Sequence, residues 1–104
     1  LCFVNSHLSP HSSKAAQRDK EAVDLAKRLT FPDVVGRGNL NWPPRMPTSV
    51  SEHDACVWSG DLNYRVDLPN ETVREMLDAG DVEGVRRMDQ LCPRLARGDV
   101  FAVT

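Results

Sequence analysis

Two short apolar runs, Leu1-Cys2-Phe3-Val4 and Ala55-Cys56-Val57-Trp58, punctuate the chain, and each soon gives way to polar residues. Uninterrupted apolar runs of this length predict strands covered on both faces, whereas half-buried strands alternate. Between them Ala15, Ala22, Ala26 and Leu29 fall on one stripe flanked by Val23 and Leu25, which predicts a helix over about 14–29 that packs one face on a sheet. Ser12 and Ser13 stand where N-caps are needed, Pro32 closes the element, and Arg18, Asp19, Lys20, Glu21, Lys27 and Arg28 fall to its wet side.

Residues 32–53 hold Pro32, Gly36, Gly38, Pro43, Pro44 and Pro47 and few apolar groups besides Val34, Val35, Leu40, Trp42 and Met46, so a long irregular loop is expected. Trp42 in such a loop either plugs it or touches a substrate or membrane. Beyond the second apolar run Gly60 permits a sharp turn. Tyr64-Arg65-Val66-Asp67-Leu68 alternates and predicts a short extended piece closed by Pro69. Asn70 is placed to cap a helix over 71–79 with Gly80 as its stop, and Asp81 to cap a second one running to about 91, where Pro93 ends it. Asp99-Val100-Phe101-Ala102-Val103-Thr104 reads as a last strand. Helices separating strands define an α/β layered domain.

Composition adds bounds. The 104 residues suit one domain, and a formal charge of −2 supplies no global field to draw in nucleic acid or anionic lipid. No apolar run approaches the roughly 20 residues that span a bilayer, and no basic leader precedes the first run. Cys2, Cys56 and Cys92 are odd in number and widely spaced, which argues against a disulfide framework or a zinc site and for a reducing, cytosolic compartment. There is no initial Met and both ends fall inside strand-like runs, so the chain reads as a piece of a larger domain.

The candidate chemistry sits where the two strands end. Asp61 and Asn63 in Gly60-Asp61-Leu62-Asn63 offer a carboxylate able to orient water and an amide able to donate to a phosphoryl oxygen. The same four residues are also ordinary turn chemistry, since Asp and Asn bond their own backbone. His7 follows the first strand, either as a phosphate donor or as a capped imidazole without a role. Arg65 carries a fork suited to phosphate, and Tyr64 is either a pocket wall or core. His11, Lys14 and Arg18 offer a basic rim or merely a solvated face. For Asp89-Gln90-Leu91 a structural reading is expected, with Leu91 in the core and Asp89 or Gln90 bonding nearby backbone.

Taken together, Phe3-Val4-Asn5-Ser6-His7-Leu8, Trp58-Ser59-Gly60-Asp61-Leu62-Asn63-Tyr64-Arg65-Val66 and Asp89-Gln90-Leu91 closely resemble the inositol polyphosphate 5-phosphatases of the endonuclease/exonuclease/phosphatase superfamily. The resemblance runs nearly end to end, apart from residues 32–53. It implies a partial catalytic domain over 1–104 with a variable loop at 32–53, in a fold of two packed sheets flanked by helices. It also implies Mg²⁺-dependent removal of the 5-phosphate from phosphoinositides or soluble inositol phosphates. Asp61 would then orient the attacking water, His7 and Asn63 would bind the transferring phosphate, and Arg65 with Tyr64 would line the substrate pocket.

Asp19 stands where the family has Asn, a departure that touches a helix-packing contact. The family's main metal-binding Glu lies before such a segment, and its Pro-Ala-Trp-Cys-Asp-Arg and Ser-Asp-His motifs lie after it. None is among these residues, so the Mg²⁺ ligand is expected outside them and the segment alone is expected to be inactive. A cytoplasmic protein with peripheral membrane contact, and no nucleic-acid partner, follows from the resemblance. The rival readings are a catalytically dead inositol-phosphate binder or scaffold, and a nuclease of the same superfamily.

Overall fold

The structure is a computed structural model that describes residues 1–32 and 47–102. Strands β1 (Cys2–His7) and β2 (Cys56–Asp61) pair in parallel, with Cys2 opposite Cys56 and His7 opposite Asp61. Parallel strands cannot be joined by a tight turn. Here the connection carries a 3-10 turn at Ser12–Lys14, helix α1 (Ala15–Arg28) and a second 3-10 turn at Val50–Glu52. Three short helices follow β2: α2 (Asn70–Asp78), α3 (Val82–Arg87) and α4 (Cys92–Arg97). The result is a mixed α/β arrangement around a two-stranded parallel sheet.

One face of the sheet is covered. Cys2, Val4 and Val50 are buried together, with Leu29, Cys56 and Trp58 against them. A second cluster joins Leu8, Ala22 and Val100 with Leu25, Leu62, Tyr64, Leu91 and Phe101, and so seats α1 and the last described residues on the sheet. The Trp58 and Phe101 rings pack in a T-shaped arrangement with centroids 5.0 Å apart, while the indole N–H of Trp58 donates to Ser6 Oγ at 2.8 Å. The opposite face is open: Phe3 is 70% exposed and Val57 46%. The expectation of strands covered on both faces therefore holds on one face only, because among the described residues nothing lies across the other.

Several expected boundaries move. No serine side chain caps α1, whose N-cap is Lys14. Pro69 rather than Asn70 is the N-cap of α2. Gly80 does stop that helix, with φ 77°, and Asp81 does cap the next, accepting from Gly84 N at 2.9 Å. Pro93 opens α4 rather than ending α3, since a proline in the first helical turn gives up an N–H that has no partner there anyway.

The expected extended piece at 64–68 reduces to a single antiparallel bridge, Val66 to Asp89. The expected last strand is a turn and bend over its described residues. Gly98 ends α4 in the left-handed region, and Phe101 adopts φ 53° with its ring against Trp58. Of the expected loop at 32–53, residues 33–46, with Trp42, lie outside the described residues. The remainder is ordered locally, with Thr30 bridging Ser49 and Glu52 Oε2 accepting from Thr48 N at 2.6 Å and Ser49 N at 3.2 Å.

Gly60 lies opposite Ser6, where the strands leave no room for a side chain. Its φ is +123°, and a Cβ there would lie 2.0 Å from Ser6 O. Gly60→Ala should therefore destabilise the complete protein by on the order of 3 kcal/mol, seen as a lower urea midpoint of unfolding, because both the clash and the φ must be relieved. An unchanged midpoint would show that the strands tolerate separation at this point.

Candidate functional site

The register of β1 and β2 brings the expected residues together. His7 and Asp61 are direct partners at the strand ends, with His7 Nε2 3.7 Å from Asp61 Oδ2 and both side chains mostly in solvent. The ladder runs one bond further, Leu8 N donating to Asp61 O at 3.0 Å. The chain then turns: Asn63 adopts φ 57°, and its N–H donates to Asp61 Oδ1 at 3.1 Å. That is the local turn chemistry of Asp and Asn.

The same turn also makes a contact that local chemistry does not require. Asn63 Nδ2 donates to Leu8 O at 2.8 Å, across 55 positions of sequence. Imidazole, carboxylate and amide thus share one corner, with the Asp61 carboxylate steadied through one oxygen and facing His7 with the other.

Arg65 folds back over this corner, its Nη2 donating to Asn63 Oδ1 at 2.9 Å and its Nε to Asn63 O at 3.1 Å. Tyr64 turns inward: its ring joins the cluster around Leu8 and Val100, and its hydroxyl donates to Asp19 Oδ1 at 2.8 Å. Burial first, and then the Asp19 carboxylate, push the phenol far above its ordinary range, so it stays protonated. Tyr64 thus points away from the corner, and of the two residues Arg65 alone is exposed over it. Of the expected rim, His11 and Lys14 are exposed, but Arg18 is not available: it is fully buried.

Arg18 and Asp19 are corrections to the expected wet face of α1. The Arg18 guanidinium lies 5.2 Å from the Tyr64 ring centroid, donates to Ser9 O at 3.0 Å and His11 O at 2.6 Å, and reaches Gln90 Oε1. Asp19 also accepts from Arg94 Nε at 2.7 Å, which holds that guanidinium more basic than usual. A signal was present for Arg18, which stands one helical turn before Ala22 on the buried stripe. Asp89 behaves as expected, accepting from Leu91 N at 3.1 Å and Cys92 N at 2.6 Å, whereas Gln90 reaches much further than nearby backbone.

A cleft lined by His7, Leu8, Ser9, Glu21, Asp24 and Arg28 opens beside the corner. Among the described residues no three His, Cys, Asp or Glu side chains gather as they would around a metal ion. His7 and Asp61 alone do not fit a hard cation, which takes six or more oxygens. All three cysteines are free thiols. No described helix is long and apolar enough to cross a membrane.

The whole chain, residues 1–104, matches endonuclease/exonuclease/phosphatase family 2. Human (Homo sapiens) synaptojanin-1 is 34% identical over 101 residues, covering 97% of this chain and 6% of that protein. Type I inositol polyphosphate 5-phosphatase 5 of Arabidopsis thaliana is 33% identical over 104 residues, covering 98% of this chain and 19% of its own length. The type II inositol 1,4,5-trisphosphate 5-phosphatase of Mus musculus is 30% identical, covering 97% and 10% respectively.

Among solved structures, the inositol polyphosphate 5-phosphatase domain of SPsynaptojanin, in complex with inositol (1,4)-bisphosphate and a calcium ion, superposes with a TM-score of 0.75 at 30% identity. It covers 96% of this chain, and the chain covers 26% of it. An α/β segment built on a two-stranded parallel sheet, with a candidate site at the strand ends, is thus the class defined by fold and geometry. The chain belongs to endonuclease/exonuclease/phosphatase family 2. Its relatives are inositol polyphosphate 5-phosphatases, of which it spans only a part.

Glu21 holds the loop that follows His7. Its carboxylate accepts from the Ser9 hydroxyl and from Ser9 N at 2.9 Å, and these bonds, the hydroxyl first, lower its pKa below the ordinary 4.5. A carboxylate lowered on folding contributes stability that is present above its unfolded pKa and lost as pH falls through the folded one. Glu21→Gln should therefore cost about 0.5 kcal/mol at neutral pH, small because solvent screens the group. The gap between parent and variant should close below pH 4.5 in thermal melts taken across pH. A gap independent of pH would contradict this assignment.

Proposed function

We propose that this chain is part of the catalytic domain of a Mg²⁺-dependent inositol polyphosphate 5-phosphatase, acting on phosphoinositides or soluble inositol polyphosphates. The single observation that carries the reading is the shared corner: the His7 imidazole and Asp61 carboxylate 3.7 Å apart, with the Asn63 amide fastened beside them to Leu8 O. The family relationship supports the choice of reaction, and the inositol bisphosphate bound by the SPsynaptojanin domain supports the choice of ligand.

Asp61 orients and deprotonates the attacking water, as an exposed carboxylate with only one oxygen tied to the backbone is able to do. His7 and the second N–H of Asn63 donate to the oxygens of the transferring phosphate, where charge accumulates. Arg65, exposed and already bent over this corner, meets the substrate's anionic groups. When bound, Mg²⁺ would neutralise that charge, held by ligands that the rest of the domain would supply. For that reason the segment by itself is expected to be inactive.

The open sheet face supports the larger fold. Phe3 and Val57 lie side by side in register, and apolar groups so exposed suit the inner face of a two-sheet sandwich. The domain containing residues 1–104 would supply the second sheet, with 32–53 as its variable loop. Its place in the cell is the cytoplasm, with peripheral contact at membranes where lipid substrates reside, and nucleic acid is not its partner.

The test uses the complete protein. Asp61→Ala should lower Mg²⁺-dependent phosphate release from inositol 1,4,5-trisphosphate by about 10²- to 10⁴-fold with the thermal midpoint nearly unchanged. Unaltered turnover would remove Asp61 from the chemistry. Cleavage of a phosphodiester in a parallel assay, without release from the inositol phosphate, would favour a nuclease. Tight inositol-phosphate binding without turnover in the parent would favour a binding relative.

A further inference from the structure

Gln90 is 98% buried (2% exposed), and every polar atom of its side chain is engaged. Oε1 accepts from Arg18 Nη2 and from Arg65 N at 3.0 Å, and Nε2 donates to Ser12 O at 2.9 Å and Asp67 Oδ1 at 2.7 Å. An amide offers two acceptor sites and two N–H donors, so its capacity is filled. Its orientation is fixed as well: turned over, it would set N–H against the donors on Arg18 and Arg65. Its main chain is equally occupied, Gln90 N donating to Arg65 O at 2.8 Å and Gln90 O accepting from Arg94 Nη1 at 2.6 Å.

Both backbone groups of Arg65 therefore end on one residue, which itself is gripped by the buried Arg18. From Arg65 the path to the reacting corner is short. The Arg65 guanidinium holds Asn63 Oδ1, and Asn63 Nδ2 holds Leu8 O beside His7. Nothing in this path relies on Gln90 touching a ligand.

We propose that Gln90 is a positioning residue: clamped by Arg18 and Asp67, it fixes the Arg65 backbone so that the Arg65 side chain is aimed over Asn63 and the site. This rests on the phosphatase reading above and adds to it a residue some 25 positions away from Arg65 in sequence. A fully satisfied buried amide suits the task, because any displacement leaves several buried groups unpaired at once.

The test is a double-mutant cycle in the complete protein, with phosphate release from inositol 1,4,5-trisphosphate as readout. Gln90→Met keeps the volume and removes the hydrogen bonds. It should lower kcat/KM about tenfold or more in the parent but less than about threefold in an Arg65→Ala background, where the group it positions is already gone. Amide hydrogen exchange at Arg65 should accelerate in Gln90→Met. Equal losses in both backgrounds would mean a purely structural role and overturn the inference, as would an unchanged Arg65 exchange rate.

If Gln90→Met does not fold, Asp67→Ala decides. That position is exposed and frees only one end of the amide, so kcat/KM should fall about threefold in the parent and not at all with Arg65→Ala. No loss in the parent would overturn the inference. A parent that releases no phosphate sinks the functional reading and this inference with it, whereas a parent with normal turnover and additive variants sinks this inference alone.

Discussion

The structure depends on the register of one parallel strand pair. Side chains alternate faces along a strand, so a slip of one residue between β1 and β2 would take His7 off Asp61 and set Cys2, Val4 and Trp58 against the wrong neighbours. Three contacts pin the alignment. Gly60 lets Ser6 O approach where any Cβ would collide. The Trp58 indole reaches Ser6 Oγ. Leu8 N caps the ladder on Asp61 O. The meeting of His7 and Asp61 at the strand ends follows from these, and the bond of Asn63 Nδ2 to Leu8 O adds the amide.

Behind that corner lies an unusual choice for a small core. Burying a guanidinium is costly unless its donors are met, and here backbone carbonyls, the Gln90 amide and the Tyr64 ring meet most of them. The return is connection. Arg18 on α1, Tyr64 and Arg65 after β2, and Gln90 and Arg94 near α4 are far apart in sequence and share one network with Asp19. Asp19 fits because its carboxylate accepts from both the phenol and Arg94.

Much of this was legible in the residues, for a reason that can be named. His7 follows Cys2 at the same interval as Asp61 follows Cys56, so aligning the two apolar runs already sets them opposite each other. The burial of Arg18 was obscured because charge on a helix usually marks its wet side, although its spacing to Ala22 pointed inward. Pro93 reads equally as a stop or as part of a first helical turn, and only the turn built on Asp89 decides between them. Val100 and Phe101 are strand-forming residues, but a strand needs a partner, and both are drawn into the core beneath β2 instead. The long reach of Gln90 had no local sign, since its partners lie as many as 78 positions away.

Fold and chemistry meet in one claim, that His7, Asp61 and Asn63 face a single phosphate position on an inositol ring. The most direct measurement is a crystal structure of the complete protein soaked with inositol 1,4-bisphosphate. The expected result places the ring's 5-hydroxyl within hydrogen-bond reach of the His7–Asp61 corner, with Asn63 still bonded to Leu8 O. A ligand bound elsewhere while that corner stays open to bulk water, or strands whose register separates His7 from Asp61, would contradict the account.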